Sequence, residues 1–303
     1  MNKKGLILVF FSAIISGFSI FINKYGVSGI DPYIFTFLKN AMVVLAFSGF
    51  ILLAKEWRQL AKLTKKQWLI LVVIGFVGGG LAFLLFFKGL SITSAAQGSF
   101  VHKTMFIYTM VLAAIFLREK IKKEIIIGAL MILAGNLLAF KALHLSLNRG
   151  DLYVLFATLL WAIENVISKY ALKDLPAKIV AWGRMFFGAT LILVFLAING
   201  QLTMIGHLSF EQTLWIEITS LILFGYVITW YSGLRYVSVS VAAAILLLGS
   251  PITTFLTFAA TGKINFGEII SSGLIISGLV MILGFQYILK QVKYIKAKIN
   301  VRS

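Results

Sequence analysis

The chain has 303 residues, of which 60% are hydrophobic and 13% charged, and its mean hydropathy is +0.98. These values lie outside the range of soluble globular domains and point to an integral membrane protein. The formal charge of +18 sits between apolar runs rather than in a polar domain, which excludes nucleic acid as a partner, and the absence of cysteine excludes disulfides, thiolate chemistry and iron–sulfur ligation.

Apolar segments of about 20 residues recur along the chain, the length that crosses a ~30 Å hydrocarbon core at ~1.5 Å per residue. Runs such as "IIIGALMILAGNLL" are continuous, so the spans are helices and not strands of a barrel. The opening "MNKKGLILVFFSAIISGF" has the basic head and apolar body of a secretory signal. No small-residue cleavage site follows, and it reads as a retained first span. In order, the expected spans are 5–22, 33–54, 68–88, 94–117, 124–141, 151–171, 179–198, 213–234, 238–260 and 266–289. Asp31-Pro32 starts the second, and Pro176 precedes the seventh.

Lysine and arginine fix an orientation. With the N-terminus in the cytoplasm, 20 of the 28 fall on the inner side and five on the outer, with Lys39, Lys103 and Arg184 inside the apolar runs. This positive-inside bias predicts two cytoplasmic termini and a multi-pass protein of the plasma (inner) membrane, its basic loops touching anionic lipid.

Sliding the chain on itself by about 145 residues aligns its halves, with Lys24-Tyr25 on Lys169-Tyr170 and Lys39 facing Arg184. At a shift of 144, "KGLSITS" falls on "SGLRYVS" and Glu124 on Glu268. Each half holds an odd number of spans, so the second is expected to be inverted relative to the first, the arrangement that gives secondary transporters two opposed gates around a midplane site. The expected fold is therefore all-α, with ten transmembrane helices as two inverted five-helix repeats, 1–145 and 146–303, the second ending in a basic cytoplasmic tail.

Four stretches carry a family resemblance: "GLSITSAAQGSF" entering the fourth span, "LREKI" leaving it, "LLWAIENVISKYAL" in the sixth and "GLRYVSVSVAAAILLLGSPITTFL" through the ninth. On these residues the chain resembles the EamA-type permeases of the drug/metabolite transporter superfamily over essentially its whole length. Glu119 matches the acid this family places after the fourth span, and Pro251 its ninth-span proline. The chain departs at Ile107 and Lys263, where the corresponding proline and acid are missing. The resemblance implies a central cavity lined by spans one to four and six to nine, with five and ten peripheral.

Ionised side chains near a bilayer centre cost several kcal/mol, so they usually face a bundle interior or a wet cavity. Lys39, His102, Lys103, Glu164 and Arg184 qualify, with Lys103 and Glu164 each about 5 Å from the midplane. Lys39 and Arg184 are candidates for the two ends of one pathway, or for packing anchors. Lys103, above a small face of Ala95, Ala96 and Ser99, is expected either to pair with Glu164 or to meet a substrate carboxylate or phosphate. His102 points about 100° away from Lys103; it is a structural partner or a proton relay. Trp161, one turn from Glu164 and Asn165, is a further pathway candidate, and Tyr226, Trp230 and Tyr231 of the eighth span are candidates for an apolar substrate wall. Ser12, Ser16, Ser19 and Asn23 form a polar stripe on the first span. "GFVGGG", Gly75 to Gly80, permits close backbone approach.

The expected function is secondary transport of a small molecule, outward, of an amino acid or organic anion, by alternating access, with protons as the candidate coupling ion. Lys103, Glu164, Lys39, Arg184, His102, Trp161, Tyr226 and Trp230 are the candidate substrate-binding residues. A lipid or drug flippase on the same fold is one alternative. An intramembrane lipid-modifying enzyme is another, disfavoured because one histidine lies in a span, His144 and His207 fall in loops, and no metal-ligand spacing or phosphate loop occurs. No cofactor, metal or catalytic residue is expected, and the sequence leaves the oligomeric state open.

Overall fold

The computed structural model describes residues 2–142, 148–206 and 208–300, with side chains throughout except at 96, 139–142 and 285–300; His144 and His207 lie outside the described residues. The elements are helical throughout: α1 (Lys3–Ser28), α2 (Pro32–Leu53), α3 (Lys65–Ile92), α4 (Ala95–Lys103, resuming as Met105–Phe116), α5 (Lys123–Ala142), α6 (Arg149–Ala171), α7 (Ala177–Ile198), α8 (Phe210–Leu234), α9 (Val239–Thr261) and α10 (Phe266–Asn300). Nine stretches among the described residues are long and apolar enough to cross a membrane: α1 to α4, α6 to α9, and Phe266–Gly284 of α10. In lipid each backbone polar group must find its partner within the segment, which is why the apolar runs are helices. Large apolar side chains such as Leu45, Phe116 and Leu221 lie exposed on the outer helix faces, where acyl chains replace water as the surroundings.

Side-chain caps set several helix starts. The Asp31 carboxylate accepts from the amides of Tyr33 and Ile34, with Pro32 in the first turn. Reciprocal capping boxes open three others: Thr64 with Gln67 at α3, Asn148 with Asp151 at α6, and Ser209 with Gln212 at α8. Gly262, at φ +67°, ends α9 in the left-handed conformation.

The helices divide into two compact units, one of residues 1–119 with 146–263, the other of 120–145 with 264–303. The second consists of α5 and α10, which touch along glycines: a Cβ at Gly128 would meet Ile282 and the Gly278 carbonyl, and one at Gly135 the Ser271 carbonyl. Within the first unit, α1 and α8 pack antiparallel. Gly5 lies against Tyr236 and Val237 beyond the end of α8, while the Gln212 amide, at the start of α8, donates to the Gly29 carbonyl past the end of α1 at 2.7 Å.

Three spans expected as regular helices are interrupted. Gly75–Leu81 in α3 is a π-helical turn, α4 breaks at Thr104, and α9 tightens to a 3₁₀ turn over Leu246–Leu248. Thr104 and Leu248 are 144 positions apart, the offset that aligns the halves of the sequence. Hydropathy carries no signal for such breaks, because the apolar run continues through them.

Candidate solute-binding site

A cavity in the first unit is lined by Ser16, Ser19, Ile20 and Asn23 of α1, Lys39 of α2, Phe83, Phe86 and Phe87 of α3, His102 and Met105 of α4, Trp161, Glu164 and Asn165 of α6, Arg184 of α7, and Leu223, Tyr226 and Trp230 of α8. The volume open to the centre of a water molecule is about 70 Å³. One water needs only ~10–15 Å³ by that measure, so a small water cluster or a compact solute fits without rearrangement.

The glycine-rich π turn of α3 seats that helix against its neighbours. A Cβ at Gly78 would overlap the Glu164 side chain, and one at Gly79 the Arg184 carbonyl, so α3 approaches α6 and α7 as closely as backbone allows. That approach brings backbone oxygens to side-chain donors. The Gly78 carbonyl accepts from the Trp161 indole at 2.8 Å and from Arg184 Nη2 at 3.3 Å, and the Gly79 carbonyl from Asn40 at 3.1 Å. These bonds orient Trp161 and Arg184 against the cavity. They answer the question raised by the glycine run: it serves close packing and carbonyl presentation together.

Glu164 is 1% exposed. Its Oε1 accepts from the Tyr231 hydroxyl at 2.5 Å and from the Ser168 hydroxyl, and its Oε2 lies 3.9 Å from Arg184 Nε in an ion pair. The Glu164 partner is therefore Arg184, not Lys103. The pairing follows from the π turn, which draws α7 against α6 and supplies a carbonyl to steady the guanidinium. Tyr231, expected in the apolar wall, is instead a buried donor to Glu164.

His102 and Lys103 part company as their helical separation requires. His102 lines the cavity, its ring edge-on to Trp161 at 5.2 Å and to Phe86 at 5.5 Å between centroids, and its Nδ1 has no hydrogen-bond partner. Lys103, expected as the charged element of the wall, lies behind it. Its ammonium donates to Ser16 at 3.1 Å and sits where a Cβ at Gly249 would come within 2.7 Å, against the interrupted stretch of α9. Both residues belong to the regular segment before the break, Ala95–Lys103, so their roughly 100° separation sends Lys103 toward α1 and α9 when His102 faces the cavity.

Lys39 is 1% exposed, and its ammonium donates to Asn23 Oδ1 at 3.0 Å. It stands 3.6 Å from the Phe87 ring centroid, 5.2 Å from Phe35 and 5.7 Å from Phe83. On the opposite wall Trp230 stacks parallel to Tyr226 at 6.2 Å and donates to Asn165 at 3.2 Å. Of the eight candidate residues, Lys39, His102, Trp161, Glu164, Arg184, Tyr226 and Trp230 meet in the cavity and Lys103 does not. Sequence reasoning missed Phe83, Phe86 and Phe87, although their spacing of three and four marks one helix face. Among the described residues no group of His, Asp and Glu suited to holding a metal ion comes together.

Both ends of the cavity-forming unit are tied in the same way. Lys24, near the end of α1, donates to the carbonyls of Leu90, Ser91 and Thr93 at 2.9, 3.5 and 2.6 Å. Lys169, near the end of α6, donates to those of Leu234, Arg235 and Val237 at 2.6, 3.3 and 2.7 Å. Each carbonyl of the second set stands 144 residues beyond its counterpart in the first. Because α1 and α8 run antiparallel, the two ties lie at opposite ends of the unit.

A membrane-embedded cavity with charged walls, held between interrupted helices, defines a multi-pass membrane transporter. The EamA-like transporter family model matches residues 3–141 and again 148–284, and the chain belongs to that family. It is 25% identical over 226 residues to an uncharacterized transporter, YyaM, of Bacillus subtilis strain 168, covering 71% of this chain and 72% of that one. It is 22% identical over 228 residues to the uncharacterized inner membrane transporter YhbE of Escherichia coli K12, covering 73% and 71%, and 24% identical over 268 residues to an uncharacterized transporter of Archaeoglobus fulgidus, covering 86% and 91%. A solved crystal structure shares the fold at a TM-score of 0.74 and 16% identity, over 95% of this chain and 99% of that one.

Proposed function

We propose that the protein is a secondary exporter that carries a small metabolite, an amino acid or an organic anion, across the plasma membrane by alternating access. In this reading the chain comprises ten spans, α5 being the tenth, arranged as inverted repeats 1–145 and 146–303 with both termini cytoplasmic. The observation that carries it is the pair of lysine ties at opposite ends of the unit, made by Lys24 and Lys169 to carbonyls 144 residues apart. Two like devices around one central cavity are what alternate opening of two gates requires. Glu164 serves as the proton-coupling group, since it lines the cavity and its ion-pair partner Arg184 is available to a competing solute anion. The basic loops retain the protein in its orientation by the positive-inside rule.

Flux in proteoliposomes tests the reading. A metabolite panel is loaded, efflux is followed with and without an imposed pH gradient, and Glu164→Gln is compared with the parent. Efflux above that of protein-free vesicles, falling at least about tenfold in Glu164→Gln, is expected for a group that carries the coupling proton. Flux no faster than in empty vesicles across the panel would sink the transporter reading, and undiminished flux in Glu164→Gln would remove that residue from the mechanism.

A further inference from the structure

The charges in the cavity wall do not cancel. Leaving the His102 imidazole aside, the wall carries the Lys39 ammonium, the Arg184 guanidinium and the Glu164 carboxylate, a net of one positive charge. Arg184 and Glu164 offset one another at 3.9 Å. Lys39 has no such partner: no carboxylate among the described residues lies within ion-pair distance of it, and Asn23 is its one hydrogen-bond acceptor. The rings of Phe87, Phe35 and Phe83 attract the ammonium, yet they leave its charge in place and two of its three protons without an acceptor. A buried, unneutralised cation within a span is costly and marks where an anion belongs.

Hydrogen-bonding capacity points the same way. Among the described residues Arg184 Nε, a buried donor, has no hydrogen-bond acceptor, its contact with Glu164 being 3.9 Å long; His102 Nδ1 is also without a hydrogen bond and donates or accepts according to its tautomer. The one carboxylate in the wall is balanced: Glu164 Oε1 accepts from Tyr231 and Ser168, and Oε2 lies 3.9 Å from Arg184 Nε, near enough to offset the guanidinium charge but not to hydrogen-bond it. The cavity thus has one positive charge to spare and no carboxylate whose charge is unbalanced. The largest apolar surfaces left to a solute are aromatic, the parallel Tyr226 and Trp230 rings and the tilted pair Phe86 and Trp161, beside Ile20, Met105 and Leu223.

From this we infer that the cavity is selective for monovalent organic anions with a compact, flat apolar body, whose anionic group pairs with Lys39 and takes the open donor of Arg184. This rests on the transporter reading above and narrows its substrate class: a zwitterion, with no net charge, would leave the surplus of Lys39 unbalanced, and a dianion would bring one charge more than the wall can balance. Lys103, seated behind the wall on Ser16, has no part in this recognition.

Binding to the purified protein tests the inference without transport. Benzoate, phthalate, benzamide, benzylamine and phenylglycine share a ring and differ in charge; their binding is followed by thermal shift and isothermal titration. Benzoate is expected to bind tightest. Lys39→Gln should weaken benzoate about thirtyfold or more, as loss of one member of a buried charge pair does, and should leave benzamide within about threefold. Lys39→Arg should keep benzoate ahead of benzamide, and Lys103→Gln should leave benzoate within about threefold of the parent. If Lys39→Gln does not fold, the charge series on the parent protein decides alone. Preference for benzylamine, phenylglycine or phthalate overturns the inference, as does binding of none of the five, or full benzoate affinity in Lys39→Gln. Failure here with metabolite flux intact discards the charge class alone; the transporter reading falls only with flux itself.

Discussion

The corner between α3 and α4 and the corner between α8 and α9 are tied by one device and locked by two different ones. In each, a lysine from near the end of a neighbouring helix gathers three carbonyls, Lys24 at the first corner and Lys169 at the second. Beside the second corner the Glu119 carboxylate accepts from the amides of Val239 and Ser240 at 2.8 and 3.1 Å and from the Ser240 hydroxyl at 2.7 Å, closing the start of α9 with a charge on the helix dipole. The position 144 residues beyond Glu119 is Lys263, which is exposed. At the first corner the start of α4 is held by other side chains. Ser94 caps it, and Asp151 of α6 accepts from Thr93 at 2.8 Å and from the Gln97 amide. On the two-repeat reading the ties are what the halves share, and the locks are where they differ.

The asymmetry continues along the helices that meet at these corners. Gly75–Leu81 of α3 forms the π turn, whereas the stretch 144 positions on, 219–225 of α8, is regular helix. The largest effect is therefore expected from Gly79→Ala. Its Cβ would overlap the Arg184 carbonyl, and a backbone atom cannot step aside as a side chain could. A loss of about 3 kcal/mol or more is expected, at the upper end of overpacking costs, read as a large drop in the thermal midpoint and in monodisperse yield. An unshifted midpoint would show that α3 and α7 separate readily, and that the π turn does not hold them.

Lys24→Met and Lys169→Met come next and test whether the ties are equal. Each removes a charged donor from three carbonyls, for which about 2 kcal/mol is expected. The two losses should match within about 0.5 kcal/mol and add in the double variant, since the sites are far apart. A silent variant at one end would mean that only the other tie bears on stability.

These two lysines also show how far the sequence could be read. The alignment of Lys24 with Lys169 and of "KGLSITS" with "SGLRYVS" was visible as residue identity, because the partners of each lysine are backbone carbonyls and any side chain can stand above them. The helices themselves were visible in the same way, from apolar runs of spanning length. The site was legible in part. His102, Glu164, Arg184 and Lys39 stood out as polar residues in apolar runs, and they do line one cavity. Their pairing was not legible, since it depends on which helices touch, and the π turn at Gly75–Leu81 that seats α3 against α6 and α7 has no signal in hydropathy. That seating brings Arg184 beside Glu164, while the first segment of α4 turns His102 and not Lys103 to the cavity.

Glu119→Gln sharpens the difference between the locks. The amide keeps one acceptor for Val239 or Ser240 and loses the charge opposite the start of α9, so about 1 kcal/mol is expected. The more telling readout is access, and a chain without cysteine suits it. A single cysteine at Ser19, in the cavity wall, should react faster with a membrane-impermeant maleimide added from the Glu119 side once that lock is weakened. From the Lys24 side the rate should be unchanged. Equal acceleration from both sides would mean that Glu119 stabilises the unit as a whole and does not gate one end.

The smallest and most specific effect is expected from Lys263→Glu, which places a carboxylate where the two-repeat reading puts the counterpart of Glu119. Lys263 is exposed and lies just beyond the left-handed Gly262 that ends α9, so the change itself disturbs no buried contact. A gain of up to about 0.5–1 kcal/mol follows if the new carboxylate reaches the first amides of α4, the scale of a charge at a helix N-terminus. In the Ser19 cysteine background it should slow labelling from the Lys24 side and leave the Glu119 side alone, the mirror image of Glu119→Gln. Should labelling stay unchanged from both sides, the two corners would differ in more than one residue, and the Asp151 network with Thr93 and Gln97 would be the lock that matters at that end.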